Sequence, residues 1–277
     1  WRDGTRRYLR RHLYGNTTAT DLWDALGEAS RAPVAPILES WITQGGHPAL
    51  HVEPTTSGVV VTQERYRPLG SDTPPAMWQV PMIVTASVAG RSERHVVLLT
   101  APTLELDLGG RPDWANVNTG GIGFYRSRYS LELQTALAAR AGELTPLERF
   151  VLLDDAWAAV RSGHGDLGSL RGVMAAVAGD DVAVWRLTSE ILRVISGMPT
   201  PSHSAADIVS EIVGDRWQEV AGTPADAEVS AMMLRLAALP GENLRARSLG
   251  LSTAHSVLDD TGPPELPADL AAAALDI

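Results

Sequence analysis

The stretch Trp41-Ile-Thr-Gln-Gly-Gly-His-Pro48 constrains this chain more than any other, because the spacing of apolar residues changes across it. Before it they recur at helical spacing; after it they alternate as in strands; in the second half of the chain helical spacing returns and persists to the end. Gly45 and Gly46 tolerate backbone conformations that other residues avoid, and Pro48 biases His47 away from the α region. A helix therefore has to end at this joint, and the chain divides into a helical lead, a strand-rich middle and a helical tail.

In the lead, Thr5 to Leu13 is arginine-rich and reads as a helix with Tyr8 and Leu9 on its apolar side, ended by Gly15-Asn16. Thr18 is placed to cap a second helix, with Asp21 at the third helical position in the reciprocal role. Its buried stripe is Leu22, Trp23 and Leu26. Pro33 suits the first turn of a third helix, in which Val34, Ile37, Leu38 and Trp41 follow an amphipathic pattern. Three short helices of this kind cannot bury their stripes alone, so Leu22, Trp23, Leu38 and Trp41 are expected to be exposed unless another body covers them.

The middle alternates Leu50 and Val52 with His51 and Glu53, then runs through Val59 to Tyr66, Pro81 to Val88 and His95 to Leu99, and ends with Leu104, Leu106 and Leu108 between acidic residues. Ser57-Gly58, Ala89-Gly90 and Gly109-Gly110 supply the turns, and this strand spacing predicts a small β-sandwich. In the tail, Thr145-Pro146-Leu147-Glu148 combines an N-cap, a proline at the first helical position and a capping glutamate. Leu147, Phe150, Val151 and Trp157 are read as one face of that helix, and Trp185, Thr188, Ile191, Leu192 and Ile195 as the face of a later one. Ser204 with Asp207, and Thr223-Pro224 with Asp226, repeat the capping pattern; Pro240-Gly241 closes one helix and Leu266 to Leu270 opens the last. The succession predicts stacked antiparallel pairs in a superhelix without a strict repeat.

Composition limits the chemistry. With 44% hydrophobic and 20% charged residues the chain is globular. A net charge of -10 argues against nucleic acid as a partner, and no run approaches the roughly 20 apolar residues of a membrane span. Cysteine is absent, which removes disulfides, thiolate zinc sites and cysteine nucleophiles and fits a reducing compartment; the cytoplasm is the expected location. All 23 basic residues are arginine, which together with abundant alanine and glycine is read as a bacterial codon-usage signature. Trp1 is not a natural start, so the chain is expected to begin inside a longer protein.

No active site assembles from these residues. His47 and His51 have the spacing of a helical zinc pair. Pro48 lies between them, the general-base glutamate is missing, and in a strand they stand about 13 Å apart, beyond the reach of one metal. Gly120-Gly121-Ile122-Gly123 lacks the helix and lysine of a phosphate loop and reads as a turn or bulge. Asp154-Asp155, Asp180-Asp181 and Asp259-Asp260 are neighbours that point in different directions on a helix, as solvated faces and caps do. No catalytic, cofactor-binding or metal-binding residue is assigned.

Short segments nevertheless combine. Tyr8-Leu9 with His12, Tyr14-Gly15-Asn16, Asp21-Leu22-Trp23 and Trp41 to Pro48 resemble the end of the catalytic domain in the aminopeptidase N family of zinc metallopeptidases. Thr62-Gln63-Glu64-Arg65, Trp78-Gln79-Val80-Pro81, Trp114, Asn118, Gly123-Phe124-Tyr125-Arg126 and Tyr129 resemble the family's next segment. Leu144 to Phe150 with Leu153-Asp154-Asp155 resembles the start of its helical C-terminal domain. The matches are collinear to about residue 160; beyond it only helical character agrees, and Thr119 to Gly121 departs from the family's Gly-Gln-Thr type of run.

The resemblance implies a multidomain α+β arrangement. Residues 1–48 would be the terminal helices of a thermolysin-like catalytic domain, 49–135 a β-sandwich, and 136–277 an incomplete armadillo/HEAT-like helical superhelix. It also implies that the zinc motif H-E-x-x-H, its downstream glutamate and the substrate-amine motif G-x-M-E-N lie outside this chain, which contains none of them. A zinc peptidase needs the metal to activate water and a carboxylate to take its proton. The expectation is thus a non-catalytic C-terminal part of a zinc aminopeptidase, with Zn2+ in the missing catalytic domain, that domain as partner and peptides as substrates. The alternatives are a stand-alone peptide- or protein-binding module and a catalytically dead relative.

Overall fold

The computed structural model describes residues 1–179, 181–198, 205–214, 216–219, 227–259 and 266–277. They form two compact units, Trp1–Leu133 and Gln134–Ile277. His203, Asp180, Asp260 and the capping residues Ser204, Thr223, Pro224 and Asp226 lie outside the described residues.

The first unit opens with α1 (Arg2–Arg11), α2 (Ala19–Ser30) and α3 (Val34–Ile42). The α2 cap forms as the sequence predicts: the Thr18 amide donates to Asp21 Oδ2 at 2.8 Å and the Thr18 hydroxyl donates to the same oxygen at 2.9 Å. Pro33 is the residue before α3 rather than inside its first turn. Helices α1 and α2 meet at Gly4, where a Cβ would lie 2.7 Å from Leu26 Cδ2 and 2.9 Å from Leu26 Cα. Only glycine permits that approach. Arg7 and Arg11 then clamp Glu28 across the pair, at 2.8 Å each to Oε2.

Seven strands follow: β1 (Pro48–Pro54), β2 (Gly58–Arg65), β3 (Val80–Val88), β4 (Arg91–Leu99), β5 (Thr103–Asp107), β6 (Trp114–Asn116) and β7 (Arg126–Tyr129). They make a four-stranded sheet ordered β5-β2-β1-β7 and a three-stranded sheet ordered β4-β3-β6. Only the β1–β7 pairing is parallel among the strand pairs of these sheets. Leu50 and Val52 of β1, Val59 and Val61 of β2, and Val80, Met82 and Val84 of β3 are fully buried. A one-residue register slip would turn such side chains to water at about 2 kcal/mol each, which fixes the pairing. The β3–β4 hairpin turns on Ala89 (φ 49°) and Gly90 (φ 77°), two left-handed residues of the kind a two-residue hairpin requires.

The helices of the lead are not stranded. Leu22, Trp23, Leu38 and Trp41 are half-buried and Leu26 is buried, which corrects the expectation of an exposed stripe. The reason is local: α3 lies against the segment leading into β3, where Trp41 Nε1 donates to Gln79 O at 2.9 Å and the Gln79 amide donates to Ser40 Oγ at 3.0 Å. What stays exposed in the lead includes Leu9 on α1, Leu13 and Tyr14 just after it, and Ile42 at the end of α3.

The second unit contains α4 from its fourth residue (the whole helix is Leu131–Ala138), then α5 (Pro146–Arg161), α6 (Leu167–Val177), α7 (Val182–Ser196), α8 (Ala205–Ile212), α9 (Arg216–Glu219), α10 (Ala227–Ala238), α11 (Leu244–Leu258) and α12 (Ala268–Leu275). Helices α5, α6 and α7 pack together, α10 packs on α7, and α11 and α12 pack on α10. Nearly every residue of α10 is buried, the mark of a helix enclosed on all sides. The face predicted for α7 is the buried one throughout, from Trp185 to Ile195. The face predicted for α5 needs correction: Leu147 is exposed, Phe150 and Val151 are half-buried, and the core side is Leu152, Leu153, Ala156 and Trp157. Leu147 sits in the first turn, where its position is dictated by the Thr145–Glu148 capping box rather than by the core.

Candidate functional site

Three of the segments that carry the family resemblance in the first unit, around Arg65, Trp78 and Phe124, meet at the Trp41–Pro48 joint. Trp41, in the last turn of α3, has its ring centroid 6.0 Å from that of Trp78 and 6.1 Å from that of Phe124. His47 stacks on Tyr66 at 5.2 Å and meets Phe124 at 5.6 Å. Gln44 Nε2 donates to Met77 O at 2.6 Å, and the Arg65 guanidinium lies 5.7 Å from the Trp78 ring centre.

Beneath the aromatic layer, Gln63 is a buried polar clasp. Its Nε2 donates to Trp78 O at 3.0 Å and to Ala101 O at 2.9 Å, while its Oε1 accepts the Trp78 amide at 3.0 Å. An amide so used ties β2 to the strand-less stretch before β3 and leaves no buried polar atom of its own unpaired. A second clasp surrounds Asn118. It accepts the Gly123 amide at 2.8 Å and donates to Gly123 O at 3.2 Å, closing the glycine-rich turn. Gly120 and Gly121 have φ of 81° and 66°, and a Cβ on Gly123 would fall 2.2 Å from the Tyr125 ring. Tyr125 and Tyr129 are bonded through their hydroxyls to Val117 O (2.6 Å) and the Val117 amide (3.0 Å). The turn thus aims two tyrosines inward and leaves Phe124 73% exposed beside Trp41 and His47. The run Gly120–Gly123 is a turn shaped by its own side chains.

The histidines singled out by spacing go separate ways. His47 belongs to the aromatic layer. His51, on β1, faces Glu53 with Nε2 2.6 Å from Oε1 and places Nδ1 3.2 Å from Arg128 O. Among the described residues no three His, Cys, Asp or Glu side chains gather in a way that could hold a metal ion. Asp155 is buried and Asp154 half-buried on α5, so the pair does not share a face; Asp181 caps α7, its Oδ1 accepting the Ala183 and Val184 amides. The carboxylates with displaced titration are structural. Arg11 and then Arg7 hold Glu28 down to about 2. The Thr18 amide lowers Asp21, and the Ser169 amide lowers Asp166 at the α6 cap. What the joint can do is present an aromatic surface on a rigid, hydrogen-bonded base; no nucleophile and base are paired on it. Sequence spacing did not single out Gln63, Asn118 or Phe124 for these roles, because their partners lie 15, 5 and 83 positions away; only their presence in the resembling segments marked them.

Residues 114–277 match the family model of the ERAP1-like C-terminal domain. The chain is 32% identical over 197 residues to a puromycin-sensitive aminopeptidase of Caenorhabditis elegans, covering 68% of this chain and 21% of that protein. It is 28% identical over 164 residues to the tricorn protease-interacting factor F2 of Thermoplasma volcanium, covering 59% and 20%. It is 25% identical over 254 residues to a leucyl aminopeptidase of Saccharolobus solfataricus, covering 91% and 31%. The chain therefore spans between about a fifth and a third of the length of these relatives. It belongs to the ERAP1-like C-terminal domain family, as a C-terminal portion of an aminopeptidase N family protein.

Proposed function

We propose that this chain is the non-catalytic C-terminal part of a zinc aminopeptidase that releases N-terminal residues from peptides. The observation that carries the reading is the family match over residues 114–277 in a chain whose sequence contains no H-E-x-x-H. In this reading residues 1–48 are the last helices of the catalytic domain and the two sheets of 49–135 form a β-sandwich. Residues 136–277 are part of an armadillo-like superhelix that walls the space peptides enter. Zn2+ and the reacting groups belong to the catalytic domain, which is the chain's principal partner. The exposed Leu9 of α1, flanked by Arg6 and Arg10, and the exposed Leu13 just after the helix support a protein partner there, as does the exposed Phe124. The cysteine-free composition supports a cytoplasmic location.

The coding sequence upstream of Trp1, followed by assay of the complete protein on a fluorogenic aminoacyl substrate, tests the reading. An upstream H-E-x-x-H with a downstream glutamate, and hydrolysis by the complete protein, are expected. A start codon close before Trp1 would instead make the chain a stand-alone binding module. A long upstream region without the motif would make it a catalytically dead relative.

A further inference from the structure

Helix α11 is inverted in its polarity. The residues it buries are Ala246, Gly250 and Ala254, spaced at i, i+4 and i+8. These small residues let it sit close on its neighbours α10 and α12, and a Cβ on Gly250 would fall 2.7 Å from Ile277 Cδ1. Its large apolar residues lie on the outer face instead. Leu244, Leu251 and Leu258 are 77%, 51% and 71% exposed, and their spacing of seven residues keeps them in one row. A surface helix ordinarily turns its leucines to the core and its polar residues outward. The core of the helical unit therefore does not account for this row, and aligned apolar side chains on a surface mark a contact with another protein.

The row is self-complementary. Across a two-fold axis at Leu251, an antiparallel copy of α11 sets Leu244 against Leu258 of the other chain, Leu258 against Leu244, and Leu251 against its own counterpart. The charges choose that direction. Arg245 and Asp259 each follow a leucine of the row by one residue, so both lie on the same flank, about 100° round the helix. Along the axis they stand about 9 Å before and about 12 Å after Leu251. The antiparallel copy therefore places Asp259 opposite Arg245, and does so twice. A parallel copy would set Arg245 beside Arg247 of the other chain, two cations. Arg245 and Asp259 are exposed, and neither has an ion pair among the described residues.

We infer that the outer face of α11 is a self-association surface that pairs antiparallel with α11 of a second copy of this chain, through Leu244, Leu251 and Leu258, with Arg245 and Asp259 fixing the direction. One helix against one helix covers less than the roughly 1,200 Å2 of a standard interface, so the pair is weak, with a dissociation constant on the order of 10–100 µM. The inference concerns the helical unit alone and stands whether or not the complete protein is a peptidase.

Analytical ultracentrifugation of the 277-residue chain, over concentrations from about 5 to about 300 µM, is the test. A reversible shift from the 29.6 kDa monomer toward a dimer is expected. Leu251→Glu, at an exposed position in the middle of the helix, is expected to weaken the dimer about tenfold or more and to leave the circular dichroism spectrum as it was. Arg245→Asp sets like charges opposite each other twice and is expected to weaken the dimer about tenfold, and Arg245→Asp combined with Asp259→Arg is expected to restore it. Both changes put charge where the helix dipole favours it, so α11 stays folded. A chain that stays monomeric at the highest concentration would overturn the inference and leave the row to a helix of a different protein. A dimer that survives Leu251→Glu, as one formed through α1 would, or a double variant no tighter than Arg245→Asp alone, would overturn it equally.

Discussion

Trp41 shows how one side chain can join two kinds of structure. Its indole N–H reaches a backbone carbonyl 38 residues on, and its ring touches Trp78 and Phe124. Trp41→Ala removes the hydrogen bond and the ring packing together and is expected to destabilise the first unit by about 2–3 kcal/mol, less than a fully buried tryptophan would. Trp41→Phe keeps much of the packing and leaves Gln79 O without its donor, at a cost of about 1 kcal/mol. Urea denaturation followed by far-ultraviolet circular dichroism measures both; a shift under about 0.5 kcal/mol for the alanine variant would mean the ring contributes nothing special. The sequence marks Trp41 as apolar and part of a helix stripe. It cannot show that the stripe is covered by the chain's own stretch before β3, because that contact forms only once β1 and β2 bring residues 77–79 back to α3. Gln63 is the same case: nothing in its neighbours tells a buried clasp from an ordinary exposed strand glutamine.

At the scale of elements, features encoded within a few residues were legible. The Thr18–Asp21 and Thr145–Glu148 caps form, the Ala89-Gly90 hairpin turns where predicted, and the α7 face is buried as its spacing requires. Features that depend on a partner element were less so. Gly4 lies before the helix predicted over Thr5 to Leu13, yet it falls inside α1 and is the residue that lets α1 approach Leu26. Leu147 fits an apolar stripe by number and is nevertheless exposed.

The α1–α2 pair carries a pH dependence with a definite sign. Glu28 is an exposed carboxylate whose value falls from 4.5 to about 2 through bonds from Arg11 and Arg7. A carboxylate lowered in the folded state stabilises fully above its unfolded value and loses that contribution as pH falls through the folded value. The difference in melting temperature between the native chain and Glu28→Gln is therefore expected to be constant above about pH 4.5, to shrink between about 4.5 and 2, and to vanish below that. A difference that grows on acidification would contradict the assignment of the clamp.

For the whole molecule, the change of hydrophobic period at Trp41–Pro48 identified a real change of structure, from helices to strands, and the return of helical spacing identified the helical unit. It could not show that the leading helices and the strands form one compact unit, since that follows from the convergence of Trp41, Gln44, His47 and Phe124 on one surface.

The proposal most open to test is that the catalytic groups lie outside these 277 residues. The most direct measurement is zinc content by atomic emission on the purified chain, with hydrolysis of a fluorogenic aminoacyl substrate measured on the same sample. The account predicts zinc well below one ion per chain and no hydrolysis above a no-protein control. Stoichiometric zinc together with aminopeptidase activity would contradict it.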